Sequence, residues 1–328
     1  MDIELQNQLR RTKRTVWRSF LADAGLEADE TVEQTVLVWD GEQLIATGSR
    51  EGNLLKCIAV APSRQGEGLL AKVLTALRQE AFRAGHRHLF LYTKPENVHL
   101  FSSLLFYPVV QTDHVLLMED KKQGIAEFIA GLNPQKHDGH IGAVVMNCDP
   151  FTLGHQHLVT YAAGCCDHLY VFVLSEDKGF CSAADRLEMV KKGTAHLPNV
   201  TVLPTGPYLI SSATFPTYFL KERDQADRIQ CMLDIQVFVK HFAPAFSISH
   251  RFMGSEPLSP LTGRYNEVLK ENLPLYGITF EQIPRLERNG TPISASAVRA
   301  ALNARDLDTV RTLVPQTTFD HLQTIIRR

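Results

Sequence analysis

The second half of the chain alternates short apolar runs with segments of helical periodicity, and this order limits the folds open to it. Apolar runs occupy residues 141–146, 169–174 and 199–204, with a helix predicted from His155 and another across residues 183–193. Alternation of this kind predicts right-handed βαβ units and a parallel sheet. Ligands of such sheets bind beyond the carboxyl ends of the strands, so the turns that follow the apolar runs are candidate sites.

The first third of the chain has a different pattern. The runs VLVWD and LIATG flank Gly41 and Glu42, which predicts a β-hairpin, and LLKCIAV gives a third strand. A run with apolar residues at helical spacing comes next, LLAKVLTALRQEAFRAG, and then a strand (HLFLYTK), a short helix from about Asn97 to Leu104 and a last strand (HVLLMED). We expect a mixed α+β domain here and a parallel-sheet domain after it, both within the α/β class.

The length of the chain and one turn-rich stretch predict how it divides. At 328 residues the chain exceeds the usual size of one core, so two domains are the default expectation. Residues 133–140 (NPQKHDGH) are the best linker candidate, because Asn, Pro and Gly favour turns. We therefore expect domains at residues 1–134 and 135–328.

Composition narrows the class of partner. The net charge is −2, so no overall positive field attracts nucleic acid or anionic lipid, and small molecules or proteins are the expected partners. The N-terminus lacks the apolar core of a signal peptide, and we expect a cytoplasmic protein with no membrane span. The six cysteines show no C-x-x-C pairing, so we expect no structural metal.

The turn after the first apolar run of the second half is the strongest candidate site. Its residues, Met146 to Val159, read MNCDPFTLGHQHLV and place Gly154 and His155 at the start of a predicted helix. Backbone N–H groups and the positive end of a helix bind phosphate, and Gly154 lets the backbone approach a ligand closely. His155 is placed to donate a hydrogen bond to an α-phosphate. The alternative is an ordinary loop with a capping histidine.

The string from Asn147 to His155 resembles the (H/T)-x-G-H signature of the nucleotidylyltransferase superfamily. That resemblance implies a Rossmann-like fold, ATP as the nucleotide, Mg²⁺ as its usual metal, and transfer of a nucleotidyl group with release of pyrophosphate. The ATP-binding residues that this resemblance implies are Asn147, Asp149, Pro150, Phe151, Thr152, Gly154 and His155.

A second stretch, Pro292 to Arg299, resembles the superfamily's later I-S-S-T-x-x-R signature. Ser294 or Ser296 can cap the helix that follows, and Ile293, the two serines and Arg299 would then lie near the β- and γ-phosphates. Standing alone, the motif would be only a serine-capped helix. Two signatures in the correct order, roughly 140 residues apart, favour the nucleotide site.

Other candidates lie between and after these signatures. Lys178, in SEDKGF, follows a predicted strand where its charge can reach a triphosphate, although a solvated surface lysine is an equal alternative. We predict His155, Lys178 and Arg299 as catalytic residues, and a structural pairing for Arg186. Gly254 and Glu256 follow a later strand at the same edge and are added to the predicted ATP site.

Two further strings, Thr205 to Lys221 and FMGSEP, resemble the citrate lyase ligase family, and the resemblance covers nearly the whole chain. It implies that acetate and ATP give acetyl-AMP and pyrophosphate. The thiol of the CoA-like prosthetic group on the acyl carrier subunit of citrate lyase then takes the acetyl group and releases AMP. A carboxylate is a poor acyl donor, so an adenylate leaving group and a thiolate nucleophile suit this chemistry.

In the first domain, the strand CIAV is followed by APSRQGEGLLAKVL, which holds Gln65, Gly66 and Gly68, and Asn97 comes later in the chain. These residues resemble the pyrophosphate-binding loop and part of the next motif of the GNAT acetyltransferases. Two positions depart from that pattern, since Leu70 stands where a small residue is expected and Leu105 replaces a glycine. Our hypothesis is that this domain binds the prosthetic group through Gln65, Gly66, Gly68 and Asn97, rather than catalysing acetyl transfer. The alternative is a domain kept for packing.

Two other functions stay open on the sequence alone. One is a nucleotidylyltransferase that releases a nucleotidylated metabolite and pyrophosphate. The other is a GNAT-type acetyltransferase, or acyl-CoA-binding module, with an ATP-sensing domain attached.

Overall fold

The computed structural model divides into two compact units. The first comprises Met1–Gly124 and Pro216–Ile229, and the second Ile125–Phe215 and Gln230–Arg328. The structure describes residues 1–135, 137–177, 179–209, 218, 226–255, 260–288 and 290–326. The division into functional domains at residues 134 and 135 stays a prediction. None of the helices in these described ranges is both long and apolar enough to span a membrane.

The first unit is built on a seven-stranded mixed sheet with strand order β1-β2-β3-β4-β5-β7-β6. Its strands are β1 Asp2–Gln6, β2 Gln34–Asp40, β3 Gln43–Glu51, β4 Leu54–Val60, β5 Phe90–Thr93, β6 Tyr107–Gln111 and β7 Leu116–Glu119. Its helices are α1 Arg11–Asp23, α2 Leu69–Arg83 and α3 Val98–Ser102. The predicted hairpin is confirmed, since Asp40 pairs with Gln43 across the Gly41–Glu42 turn. The strands β1 and β6 and the helix α1 are additions to the prediction.

Helix α2 packs closely on the sheet of the first unit because of one glycine. A Cβ added at Gly48 of β3 would lie 2.5 Å from Cγ1 of Val73 and 3.0 Å from Cδ1 of Leu77. Both α2 side chains are fully buried. A larger residue at position 48 would therefore separate the helix from the sheet.

The parallel strands β4 and β5 pair only at their beginnings, through Leu54 with Phe90 and Leu55 with Leu91. Beyond this point β4 and β5 no longer pair with each other.

The buried Tyr218 hydroxyl donates to the carbonyl oxygen of Tyr92 at 3.3 Å, and the Tyr218 carbonyl accepts the N–H of Glu27 at 2.7 Å. Tyr218 thus packs within the first unit.

The second unit contains a five-stranded sheet in the order β10-β9-β8-β11-β12, and every pair in it is parallel. These strands are β8 Ile141–Met146, β9 His168–Val173, β10 Val200–Pro204, β11 His250–Gly254 and β12 Thr279–Ile283. The strand order reverses at β8, as in doubly wound nucleotide-binding folds. The predicted Rossmann-like parallel sheet is confirmed by this topology.

The remaining helices lie before, between and after these strands in the chain. They are α4 Gly124–Gly131, α5 Leu153–Gly164, α6 Ala183–Thr194, α7 Ala226–Val237, α8 Ala243–Ala245, α9 Pro260–Asn272, α10 Ala295–Asn303, α11 Leu307–Leu313 and α12 Gln316–Ile326. A small antiparallel pair, β13 Glu287–Arg288 and β14 Thr291–Pro292, precedes α10. One apolar core joins β8, β9 and β11 to helices α5, α6, α10, α11 and α12.

Candidate active site

The turn between β8 and α5 lies at the point where the strand order reverses. Strand β8 ends at Met146, the peptide between Asp149 and Pro150 is cis, and α5 begins at Leu153. β9 and β11 flank β8 on its two sides, so the turns at their carboxyl ends lie at the same edge of the sheet. In open parallel sheets this edge is where ligands bind.

Thr152 and His155 form a reciprocal cap at the start of α5. The Thr152 hydroxyl accepts the N–H of His155 at 3.2 Å, and Nδ1 of His155 accepts the N–H of Thr152 at 3.0 Å. Because the Thr152 N–H can only donate, Nδ1 must accept, and the proton of the neutral ring sits on Nε2. The capping box therefore fixes both the tautomer and the orientation of His155.

His155 is uncharged at neutral pH. Burial, and secondarily the positive charge of Arg285, lower the pKa of His155 to about 4. Its ring lies nearly parallel to that of the buried Phe151, with centroids 5.9 Å apart. The site thus holds a neutral imidazole whose Nε2–H is a hydrogen-bond donor, rather than a cation.

Asp149 anchors the loop that follows β9. Its carboxylate accepts the N–H of Phe180 at 2.8 Å and that of Cys181 at 2.7 Å, and the residue is buried. A Cβ at Gly179 would lie 2.6 Å from Oδ2 of Asp149. Both carboxylate oxygens are therefore used to shape the edge. Contact of Asp149, or of the buried Pro150 and Phe151, with ATP stays a prediction.

The two sequence signatures meet in the structure. A Cβ at Gly154 would lie 3.0 Å from the carbonyl oxygen of Ile293. Arg299 Nη1 donates to the carbonyl of Asp149, and the same nitrogen is 3.8 Å from Oδ2 of that residue. Residues about 140 positions apart in the chain thus form one continuous surface at the start of α5.

Ser294 caps helix α10 as expected. Its hydroxyl accepts the N–H of Ala297 at 3.1 Å and lies 3.1 Å from the hydroxyl of Ser296. Ser296 is exposed, and Ser294 and Arg299 are half-buried. The start of α10 therefore presents two hydroxyls, and the same helix carries the Arg299 guanidinium one turn later; hydroxyls and a guanidinium are groups suited to phosphate oxygens.

Asn147 is held by Arg186, which the sequence predicted to be structurally paired. Arg186 Nη1 donates to the backbone carbonyl of Asn147 at 3.0 Å and also to its side-chain oxygen, while Nη2 donates to the carbonyl of Glu176. Arg186 is buried and Asn147 is exposed. The structural pairing of Arg186 is confirmed, and ligand binding by Asn147 stays a prediction.

The loop after β12 contributes a cation that the sequence analysis missed. Arg285 donates from Nε to the carbonyl of Ser255 at 2.7 Å and from its backbone N–H to the Ser255 hydroxyl at 3.1 Å. Its charge acts on His155, so it belongs to the same edge. The stretch PRLER has no motif spacing and offered no signal. At the end of β11, the carbonyl of Gly254 accepts a hydrogen bond from Nδ2 of Asn266 at 3.0 Å.

Part of the predicted site lies outside the described residues. This applies to Lys178 and Glu256 among the site residues. It also applies to residues 210–217 and 219–221 of the string Thr205 to Lys221, and to the end of FMGSEP.

In the first unit, the loop predicted to bind the prosthetic group is open. Gly66 and Gly68 have φ of 86° and 71°, Gly68 precedes α2, and an added Cβ at either would meet nothing within 4 Å. Gln65 is exposed, and Nδ2 of Asn97 donates to the Thr93 hydroxyl at 2.9 Å. Leu105, which replaces the expected glycine, has φ of 60° and so keeps the left-handed backbone that glycine favours.

Solved structures resemble parts of the chain only distantly. An acyl-CoA N-acyltransferase from Pseudomonas aeruginosa is 12% identical, with a TM-score of 0.32, over 37% of this chain and 100% of that one. TmcAL from Thermotoga maritima, solved with alpha-thio ATP, is 16% identical, with a TM-score of 0.37, over 57% of this chain and 56% of that one. With TM-scores below 0.5 these similarities add nothing to the fold, which rests on strand order and pairing.

Sequence relatives are much closer. The citrate (pro-3S)-lyase ligase of Klebsiella pneumoniae is 42% identical over 92% of this chain and 90% of its own length. The ligase of the same name from Escherichia coli K12 is 38% identical over 94% and 89%. The model of the citrate lyase ligase C-terminal domain matches residues 141–322, which hold both signatures and Arg186. The chain belongs to the citrate lyase ligase family.

Proposed function

We propose that this protein is the ligase that activates citrate lyase by using ATP and acetate to acetylate the thiol of the lyase's CoA-like prosthetic group on its acyl carrier subunit. The observation that carries the proposal is the junction of the two signatures, Gly154 with Ile293 and Asp149 with Arg299, at the ligand edge of a parallel sheet. It occurs in a chain 42% identical to a citrate lyase ligase. We expect the reaction to take place in the cytoplasm.

In the first step an acetate oxygen attacks the α-phosphorus of ATP, the bond to the β-phosphate oxygen breaks, and pyrophosphate leaves. Acetate is already ionised at neutral pH, so the step needs no general base. What it needs is stabilisation of the negative charge that builds on the α-phosphate oxygens. Acetyl-AMP is the product.

His155 supplies that stabilisation as a neutral donor. Its Nδ1 is occupied by the Thr152 N–H, so Nε2–H is the group directed to substrate. A ring with a pKa near 4 neither gains nor loses a proton at neutral pH, and it stays a hydrogen-bond donor through the reaction. The backbone at Gly154 adds the positive end of α5.

The departing pyrophosphate is assigned to the α10 start and the neighbouring cations. Arg299, Ser294 and Ser296 are the proposed β- and γ-phosphate contacts, because one helix carries a guanidinium and two adjacent hydroxyls. Arg285 adds positive charge next to His155. Lys178, Gly254 and Glu256 keep their place as sequence-based proposals for the same site.

Mg²⁺ is proposed only as the ion that ATP brings with it. Within the described ranges, no three His, Cys, Asp or Glu side chains come together as a metal site, and Asp149 is used by backbone N–H groups. These residues do not form a magnesium cage, so no step is assigned to the metal. Magnesium bound to nucleotides usually keeps several waters and relies on phosphate oxygens.

In the second step the prosthetic-group thiolate attacks the acetyl carbon, the bond between that carbon and the phosphate oxygen breaks, and AMP leaves. The thiol proton passes to solvent. We assign the thiol-bearing arm to the first unit, where Gly66 and Gly68 precede α2 and leave the backbone N–H groups of an open loop for a diphosphate. Gln65 and Asn97 are the proposed polar contacts.

One product analysis tests the proposal. The protein is incubated with ATP labelled at the α-phosphate, acetate and deacetylated citrate lyase, and the labelled product and lyase activity are measured. We expect labelled AMP and reactivated lyase, both dependent on acetate. A stable labelled adduct of another metabolite would replace the proposal with a released-product nucleotidylyltransferase. In a parallel incubation with acetyl-CoA and no ATP, reactivation of the lyase would replace the proposal with an acetyltransferase.

A further inference from the structure

Arg186 is a buried cation whose partners are neutral oxygens. Only 1% of the residue is exposed, and its hydrogen bonds go to two carbonyls and one side-chain amide oxygen, those of Asn147 and Glu176. Removing a guanidinium charge from water is costly, so a buried arginine contributes little to the stability of the fold. A role for its hydrogen bonds in the site is therefore worth considering. Its partners lie just beyond the carboxyl ends of β8 and β9, the two strands that border the proposed ATP site.

The contact with the Asn147 side chain determines which way that amide faces. A guanidinium can only donate, so the amide oxygen must be the atom that faces Arg186. The NH₂ group is then the branch of the amide directed away from Arg186, on an exposed residue directly after β8. Without Arg186, the amide would rotate freely and present oxygen or nitrogen to the site.

We propose that Arg186 is a positioning residue, which acts through Asn147 by holding its side-chain NH₂ toward an anionic oxygen of the substrates at the carboxyl end of β8. The inference rests on the proposed function, because it takes the substrates to be ATP and acetate. The oxygen is that of the acetate carboxylate or of the α-phosphate. Both are acceptors, and a fixed NH₂ donor suits either.

Four variants test this proposal. Asn147→Asp keeps an oxygen for Arg186, so the buried guanidinium stays paired, while a negatively charged carboxylate oxygen replaces the NH₂ donor. Asn147→Ala, Arg186→Gln and the double variant complete a double-mutant cycle. Lys191→Gln, an exposed change on the same helix α6, is the matched control. Each protein is assayed for acetate-dependent exchange of pyrophosphate into ATP, with separate KM values for ATP and acetate, and for its melting temperature.

We expect Asn147→Asp to melt no lower than the parent protein and to lose about tenfold or more in kcat/KM, as when one transition-state donor is removed. Arg186→Gln should lose a similar factor, and the double variant should resemble Asn147→Ala to within about threefold. A rise confined to the KM of acetate would assign the NH₂ to the carboxylate, and a rise confined to the KM of ATP would assign it to the phosphate. Lys191→Gln should match the parent.

Two results would overturn the proposal. One is unchanged exchange in Asn147→Asp. The other is losses that multiply in the double variant, since Arg186 would then act independently of Asn147. A parent protein without acetate-dependent exchange would instead remove the proposed function. In that case the double-mutant cycle is measured on the dissociation constant for ATP of the same proteins. If the losses of ATP affinity in the two single variants multiply in the double variant, the Arg186 proposal is overturned.

Discussion

The chain contains two strand–loop–helix turns that the sequence assigned to phosphate groups, and they are built in opposite ways. In the β8–α5 turn, Thr152 and His155 cap each other, Asp149 holds the backbone of Phe180 and Cys181, and Gly154 touches Ile293. In the loop before α2, Gly66 and Gly68 have no atom within 4 Å of an added Cβ, and the helix has no side-chain cap. We call the β8–α5 turn the locked turn, because side chains fix its backbone, and the loop before α2 the open loop, because nothing packs against its glycines.

The difference matches the two tasks that we propose. Stabilising charge on a reacting phosphate requires donors that are already in place, because reorganising them during the reaction removes their benefit. Binding a prosthetic-group arm requires only accessible N–H groups and a backbone that a ligand can approach. The locked turn should therefore be sensitive to small changes in chemistry, and the open loop should affect binding alone.

The largest expected effect is in the locked turn. His155→Ala should lower acetate-dependent pyrophosphate exchange by about 100-fold, because it removes a donor to the α-phosphate. His157→Ala, two residues later and exposed, is the matched control and should keep the parent rate. A near-parent rate for His155→Ala would remove this residue from the mechanism, and with it the functional reason for the locked geometry.

The open loop should give a split result. Changing Gly66 and Gly68 together to valine strains two left-handed backbone positions and blocks approach to the loop. We expect acetylation of citrate lyase to fall by about tenfold or more, the equivalent of one or two hydrogen bonds. Pyrophosphate exchange should stay at the parent level. If both activities fall equally, the two turns do not have separate tasks.

The locked turn should also make stability depend on pH. The pKa of His155 is about 4 in the folded protein and about 6.5 when unfolded, so the unfolded state binds more protons between these values. This contribution, on the order of 3 kcal/mol, is complete above about pH 6.5 and is lost as the pH falls toward 4. The free energy of unfolding in urea is measured across this pH range for the parent and for His155→Gln. The difference between the two pH profiles gives the contribution of His155. Parallel pH profiles for the two proteins would contradict the neutral imidazole.

The smallest expected effect lies in the same unit as the open loop. Leu105 is 61% exposed and holds a left-handed φ of 60°, a conformation that costs a side chain about 1–2 kcal/mol. Leu105→Gly should therefore raise the free energy of unfolding by about 0.5–1 kcal/mol, after the entropy of glycine is subtracted. Leu100→Gly, in α3, should lower it by about 1 kcal/mol. The midpoints of denaturant unfolding measure both changes in stability, provided that the slopes of the transitions equal that of the parent protein.

The parallel sheet and the junction of the two signatures were predictable because the responsible patterns are local. Apolar runs separated by helical segments identify strands, and each signature carries its own spacing. By contrast, β1 was missed although its five residues, DIELQ, alternate polar and apolar side chains as a strand does, because the signal is short and its side chains are mostly exposed. Its pairing with β2, more than 25 residues away, makes it a strand.

The internal bonding of the site was not predictable. Asp149 was assigned to ATP from its motif, yet its oxygens accept N–H groups about 30 residues later in the chain. Arg285 has no motif around it, and its place near His155 follows from the position of β12 beside β11. Such contacts depend on how distant loops come together, and residue spacing carries no information about that.

In the proposed reaction acetate attacks the α-phosphorus of ATP at the locked turn, and oxygen tracing tests this step most directly. Acetate labelled with ¹⁸O in both carboxylate positions is supplied with ATP and deacetylated citrate lyase, and the products are analysed by mass spectrometry. Attack at the α-phosphorus followed by thiolysis leaves one labelled oxygen in AMP and none in pyrophosphate. Unlabelled AMP, or label in pyrophosphate or phosphate, would contradict the account.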